Sequence, residues 1–141
     1  MNIFFLLLAI LAGAFTTIES TINSQLGKYV TPGIATLHSL VVGMLFVLLI
    51  NITMGNISKY PKVFMVSPIW AIGGVFGALI IYFSSKVIPE LGISNSVILI
   101  LSGQMVSSLV IESLLNHAEI SLKKMMGMIL FLIGTIMFLK D

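Results

Sequence analysis

The chain has 141 residues, of which 58% are hydrophobic and only 9% charged. With a mean hydropathy of +1.16, this balance is that of an integral membrane protein rather than a soluble domain. Its net charge of +2 comes from seven lysines and no arginine, placed beside the apolar runs where they meet headgroups, which argues against nucleic acid as a partner. The absence of cysteine excludes disulfides, thiolate chemistry and cysteine metal sites. Nearly all of a single domain of this length is taken up by spans, so there is no room for a soluble catalytic domain, and neither an enzyme nor a cofactor is expected.

Charged and turn-forming residues divide the chain into five apolar segments, roughly 3–26, 33–52, 68–85, 93–115 and 125–139. Each is about as long as a helix rising ~1.5 Å per residue must be to cross ~30 Å of hydrocarbon. The expectation is an all-α membrane protein of five transmembrane helices. Tyr29, Tyr60 and Trp70 fall near segment ends, where an aromatic belt meets the membrane interface.

The first segment carries the most informative residue, Glu19, a lone carboxylate flanked by Thr16, Thr17, Ser20, Thr21 and Asn23. Insertion scales set the cost of an acidic group at mid-span at about 2.5–3.5 kcal/mol. Ala9, Ala12, Gly13, Thr16, Ser20, Asn23 and Gly27 recur at helical spacing and form a small, polar stripe with Glu19 at its edge. Glu19 and Asn23, four residues apart, are placed to line one cavity. The competing reading is a packing face in which Glu19 is hydrogen-bonded to a neighbouring helix; an intramembrane carboxylate favours function. A cleaved secretory signal ending near Ala12-Gly13-Ala14 is disfavoured, because no lysine precedes the run and the run continues to Leu26.

The second segment opens with Thr36, His38 and Ser39. His38 is a candidate for substrate binding or proton relay, although such a histidine more commonly hydrogen-bonds across helices. In the third segment Gly73 and Gly77 form a GxxxG pair and Gly74 with Ala78 a small-xxx-small pair, permitting close helix approach. In the fourth, Gln104, Ser108 and Glu112 share one face, which with the stripe of the first segment predicts a shared cavity. Glu112 stands so near the segment's end that an interfacial role is equally open. The fifth carries Gly127 and Gly134 among Met, Ile, Leu and Phe, with Thr135 as its only polar side chain, and reads as a packing or dimerisation helix. His117 and Glu119 are too sparse to hold a metal, and no phosphate loop, dinucleotide fingerprint or HExxH is present.

Five spans with the N-terminus inside put Lys59, Lys62, Lys123 and Lys124 in the cytoplasm, against Lys28, Lys86 and Lys140 outside. That is a margin of one lysine for a single orientation. A weakly marked fixed orientation and insertion in both orientations are both compatible with it. In the second case two copies make an antiparallel pair with a two-fold axis in the membrane plane, like the inverted repeat of many transporters.

The distinctive features in chain order are Gly13 followed by Glu19, Asn23 and Leu26-Gly27; His38-Ser39 with Gly43; the glycines before Gly77; Pro89 to Gly92; Gly103-Gln104; Glu112; and the glycines of the last segment. In their order and spacing, over the whole chain, they resemble the small five-helix YdcZ-like branch of the drug/metabolite transporter superfamily. The resemblance implies a multi-pass protein of the bacterial inner membrane, found as a dual-topology homodimer, as paired oppositely oriented subunits or as a fused two-domain chain. That family commonly has glutamine where this chain has Glu19, which makes a proton-linked role more attractive here. The expectation is half of an inverted-repeat ten-helix transporter completed by antiparallel dimerisation, exporting small amphipathic or cationic metabolites by proton-coupled alternating access. Glu19, Asn23, Thr16, Ser20, His38, Gln104, Ser108 and Glu112 are its candidate substrate or proton ligands, and Gly73, Gly74, Gly77, Gly127 and Gly134 its packing residues. The partners expected are membrane lipid, a small-molecule substrate, and a second copy or an oppositely oriented paralogue. The alternatives are a non-transporting assembly or regulatory subunit, or a channel.

Overall fold

A computed structural model describes residues 2–116 and 121–140; His117 and Glu119 lie outside them. The described residues form helices and no strand: α1 (Ile3–Tyr29), α2 (Pro32–Thr53), two 3-10 helices (Ile57–Met65 and Pro68–Ala71), α3 (Ile72–Leu91), α4 (Ile93–Asn116) and α5 (Leu122–Phe138). Each boundary has a local cause. Asn2 caps α1 by accepting from the Phe4 amide, and Thr31 caps α2 by accepting from Ile34, with Pro32 supplying a first residue that has no amide hydrogen to satisfy. Ser121 caps α5 by accepting from Lys124. Gly92, at φ 79, supplies the left-handed residue between α3 and α4.

Among the described residues four helices are long and apolar enough to cross a membrane: Ile3–Tyr29, Pro32–Thr53, Pro68–Leu91 and Ile93–Leu115. The fifth expected span falls on the helix α5, which is not among these four: its 17 residues reach only about 26 Å at ~1.5 Å per residue. Two expected boundaries move. The first helix continues past Leu26 to Tyr29. The segment 86–91, expected as a loop for its Lys, Pro and Glu, is the end of α3. Pro89 sits in the last turn, where its missing amide hydrogen removes one intrahelical bond and leaves the helix otherwise intact.

The chain divides into two compact units, Met1–Glu90 and Leu91–Asp141. In the first, α1 packs against α2. The two are joined by so short a link that a Cβ at Gly27 would lie 3.5 Å from the Pro32 Cα. In the second, α4 packs against α5. The pattern of burial inverts that of a soluble protein. Ala35 and Ile88 are the buried apolar side chains among the described residues, whereas Ser20, Asn23, Ser24, Thr36, Ser84, Ser85, Ser96, Ser102 and Thr135 are buried polar ones. In lipid, apolar side chains gain nothing by leaving the hydrocarbon, so helices meet through small and hydroxyl-bearing residues. Most of these hydroxyls donate to the carbonyl one turn back: Thr36 to Pro32, Ser85 to Ile81, Ser96 to Gly92, Ser102 to Ile98 and Thr135 to Phe131. Ser24 Oγ is buried with no partner among the described residues.

Candidate functional site

The polar stripe of α1 turns toward α2. Ser20, Asn23 and Ser24 are its buried residues, and on α2 Ala35 and Thr36 are buried with Ser39 half-buried beside them. From this contact a short hydrogen-bond chain emerges. Asn23 Nδ2 donates to Ser39 Oγ at 3.2 Å, and Ser39 Oγ donates to Glu19 Oε1 at 3.5 Å. The second bond is at the long limit of a hydrogen bond. Glu19 therefore has one weak donor and is otherwise exposed on the surface of its unit. α1 runs from residue 3 to residue 29, so Glu19 lies three residues, about 4.5 Å along the axis, from the midpoint. An acidic group at that depth, open on one side, requires further polar or aqueous company.

The expected ligands divide accordingly. Glu19 and Asn23 are brought together through Ser39, and buried Ser20 lies on the same helix contact. Thr16 is exposed and gives its hydroxyl hydrogen to Ala12 at 2.9 Å, just as Thr17 serves Gly13 and Thr21 serves Thr17; their lone pairs remain available to accept. His38 is exposed and stands outside this chain of bonds. The neighbouring Ser39 occupies the bridging position, because consecutive helical residues point about 100° apart. The signal for Ser39 was the small-polar run Ala35, Thr36 and Ser39 at helical spacing, the mark of a packing face.

In the second unit, Gln104 is exposed, Ser108 bonds Met105 at 2.9 Å, and Glu112 pairs with Lys124 at 2.7 Å, linking the end of α4 to the start of α5. Both partners of that pair are exposed. The buried polar contact of this unit is a different one: Ser102 Oγ and Thr135 Oγ1 lie 3.1 Å apart. A Cβ built at Gly73, Gly74, Gly77, Gly127 or Gly134 would have nothing within 4 Å among the described residues. Among the described residues no cluster of three or more metal-ligating side chains forms.

These features define a helical membrane protein that holds a carboxylate near the middle of a span, supported by the next helix. Over residues 4–137 the chain matches the family model DMT_YdcZ, described as "Putative inner membrane exporter, YdcZ". The chain belongs to this family of the drug/metabolite transporter superfamily. No curated protein and no solved structure matches the chain.

Proposed function

We propose that the protein is a proton-coupled exporter of small amphipathic or cationic metabolites, working by alternating access as an antiparallel dimer in the bacterial inner membrane. The observation that carries this reading is Glu19: close to mid-span, held weakly by Ser39 and open on its remaining side. A carboxylate in that position left facing lipid would cost about 2.5–3.5 kcal/mol, and a second copy inserted the opposite way covers it. Crossing of the membrane by α5 makes the span count odd, and an odd count with nearly balanced lysines allows both orientations. Two five-helix copies then form the inverted repeat that alternating access uses.

In this mechanism Glu19 carries either a proton or a cationic substrate. Protonation neutralises the carboxylate and releases the substrate, and binding of the cation displaces the proton, so the two fluxes are coupled by exclusive occupancy. Asn23 and Ser39 orient the carboxylate and, with Ser20 and Thr16, offer acceptors to the substrate. His38, Gln104 and Ser108 are the remaining candidate ligands for the substrate. Glu112, paired with Lys124, is the peripheral charge of the set. The glycines of α3 and α5 are the surfaces at which the copies approach.

The test is reconstitution in liposomes under an imposed pH gradient, with a panel of amphipathic organic cations and a trapped pH dye as readout. Wild-type protein is expected to concentrate at least one cation while dissipating the gradient, and Glu19→Gln to do neither. Full coupled transport by Glu19→Gln would overturn the mechanism.

A further inference from the structure

At one end of the first unit, the C-terminal ends of α1 and α3 meet the N-terminal end of α2 around a cleft of about 200 Å³ lined by Gly27, Lys28, Pro32, Ser85, Lys86, Pro89 and Glu90. Tyr29 follows Lys28, and the three apolar helices all begin or end here, so the cleft sits at headgroup depth. Its charges are of both signs and lack internal partners. Among the described residues neither Lys28 nor Lys86 forms an ion pair with Glu90 within 4.0 Å; the pair present is Lys124 with Glu112. Lys86 instead rests its ammonium 5.3 Å from the centre of the Tyr82 ring, whose edge in turn lies 4.0 Å from a Cβ position at Gly33 on α2. That contact holds the cation at the cleft while leaving its hydrogens free to donate.

The acidic side is equally uncompensated. Glu90 stands in the last turn of α3, next to the negative end of the helix, where a carboxylate is disfavoured unless a cation joins it. Pro89 has no amide hydrogen to give to the carbonyl one turn back, that of Ser85, another residue of the cleft. The cleft therefore offers hydrogen-bond donors with positive charge beside a carboxylate and a carbonyl deprived of its helical donor. The cleft is small and open to its surroundings, of the scale of a phosphate joined to a short alkylamine.

We propose that this cleft binds the headgroup of an aminophospholipid of the surrounding bilayer, with the phosphate on Lys28 and Lys86 and the ammonium on Glu90 and the Ser85 carbonyl. The lipid ties the ends of α1, α2 and α3 together from the membrane interface. This site is separate from Glu19 and stands whether or not that carboxylate couples transport.

The experiment uses delipidated full-length protein in detergent, titrated with phosphatidylethanolamine or phosphatidylglycerol and read by native mass spectrometry, with circular dichroism as the check on folding. Wild type is expected to bind phosphatidylethanolamine about tenfold more tightly than phosphatidylglycerol, the loss of one charge-assisted contact being of that order. Glu90→Gln should erase the preference while leaving phosphatidylglycerol binding in place. Lys28→Ala with Lys86→Ala should weaken both lipids about tenfold, whereas Lys59→Ala with Lys62→Ala, at another part of the unit, should change neither. Equal binding of the two lipids by wild type, or an unchanged preference in Glu90→Gln, overturns the proposal. So does displacement of the lipid by soluble phosphoethanolamine at matching concentration, which would assign the cleft to a soluble ligand.

Discussion

Replacing Ser39 tests how the carboxylate is held. Ser39→Ala removes the acceptor of the 3.2 Å bond from Asn23 and the donor of the 3.5 Å bond to Glu19, and so cuts the polar link between α1 and α2. Hydrogen bonds between membrane helices average about 0.6 kcal/mol, with a ceiling near 1.7. Two of them give about 1.2 kcal/mol, close to an eightfold change in equilibrium. The 3.5 Å bond contributes less than its share, because it lies at the limit of useful geometry. Unfolding of the purified protein in mixed micelles of increasing denaturing-detergent fraction, followed by circular dichroism, measures the difference. Ser39→Thr keeps the hydroxyl and should recover most of the loss. His38→Ala should be nearly silent, since the imidazole is exposed and outside the chain of bonds. A cost below about 0.3 kcal/mol for Ser39→Ala, or an equal cost for His38→Ala, refutes the assignment of Ser39 as the bridge, because one average bond is already worth twice that.

Other expectations follow from single contacts. Ser24→Ala removes a buried hydroxyl without a partner and should leave stability unchanged or slightly higher in the same unfolding assay; a loss above about 1 kcal/mol would mean that a second copy satisfies it. A double-mutant cycle on Ser102→Ala and Thr135→Val should return a coupling of about 0.6 kcal/mol, within a ceiling near 1.7, for the buried contact between α4 and α5. Lys124→Ala breaks an exposed ion pair and should cost under about 1 kcal/mol, less still in high salt, with transport retained. Gly92→Ala forces a side chain onto φ 79 and should destabilise the protein by about 1–2 kcal/mol, read as a lower unfolding midpoint.

The helices were legible because membrane spans announce themselves by composition: long apolar runs between lysines, tyrosines and prolines. Glu19 and Asn23 were legible for a related reason, since polar side chains in such a run stand out and a spacing of four fixes their common face. What composition does not encode is the rotation of one helix against another. Ser39 and His38 are neighbours in sequence, and the histidine carries the richer chemistry, but the turn of α2 against α1 gives the bridge to the serine. In α4 the conspicuous face of Gln104, Ser108 and Glu112 is exposed or half-buried, whereas the buried contact belongs to Ser102, about 200° around the helix from Gln104. Small hydroxyls look alike in sequence, and only packing distinguishes the one that meets Thr135. The end of α3 was hidden by its composition: Lys86, Pro89 and Glu90 read as a loop, yet a proline in the last turn is compatible with helix, and Gly92 makes the actual break.

In the proposed transporter the open side of a mid-span carboxylate is completed by an oppositely inserted copy, and topology tests this most directly. Asn2→Cys and Asp141→Cys, made singly in this cysteine-free chain, are labelled in intact cells with a membrane-impermeant thiol reagent before and after permeabilisation. Partial labelling of both sites from outside, each rising to completion on permeabilisation, is the predicted result and means that the chain inserts in both orientations. Complete labelling of one site and none of the other in intact cells would contradict the antiparallel homodimer, and Glu19 would then need a different chain to cover it.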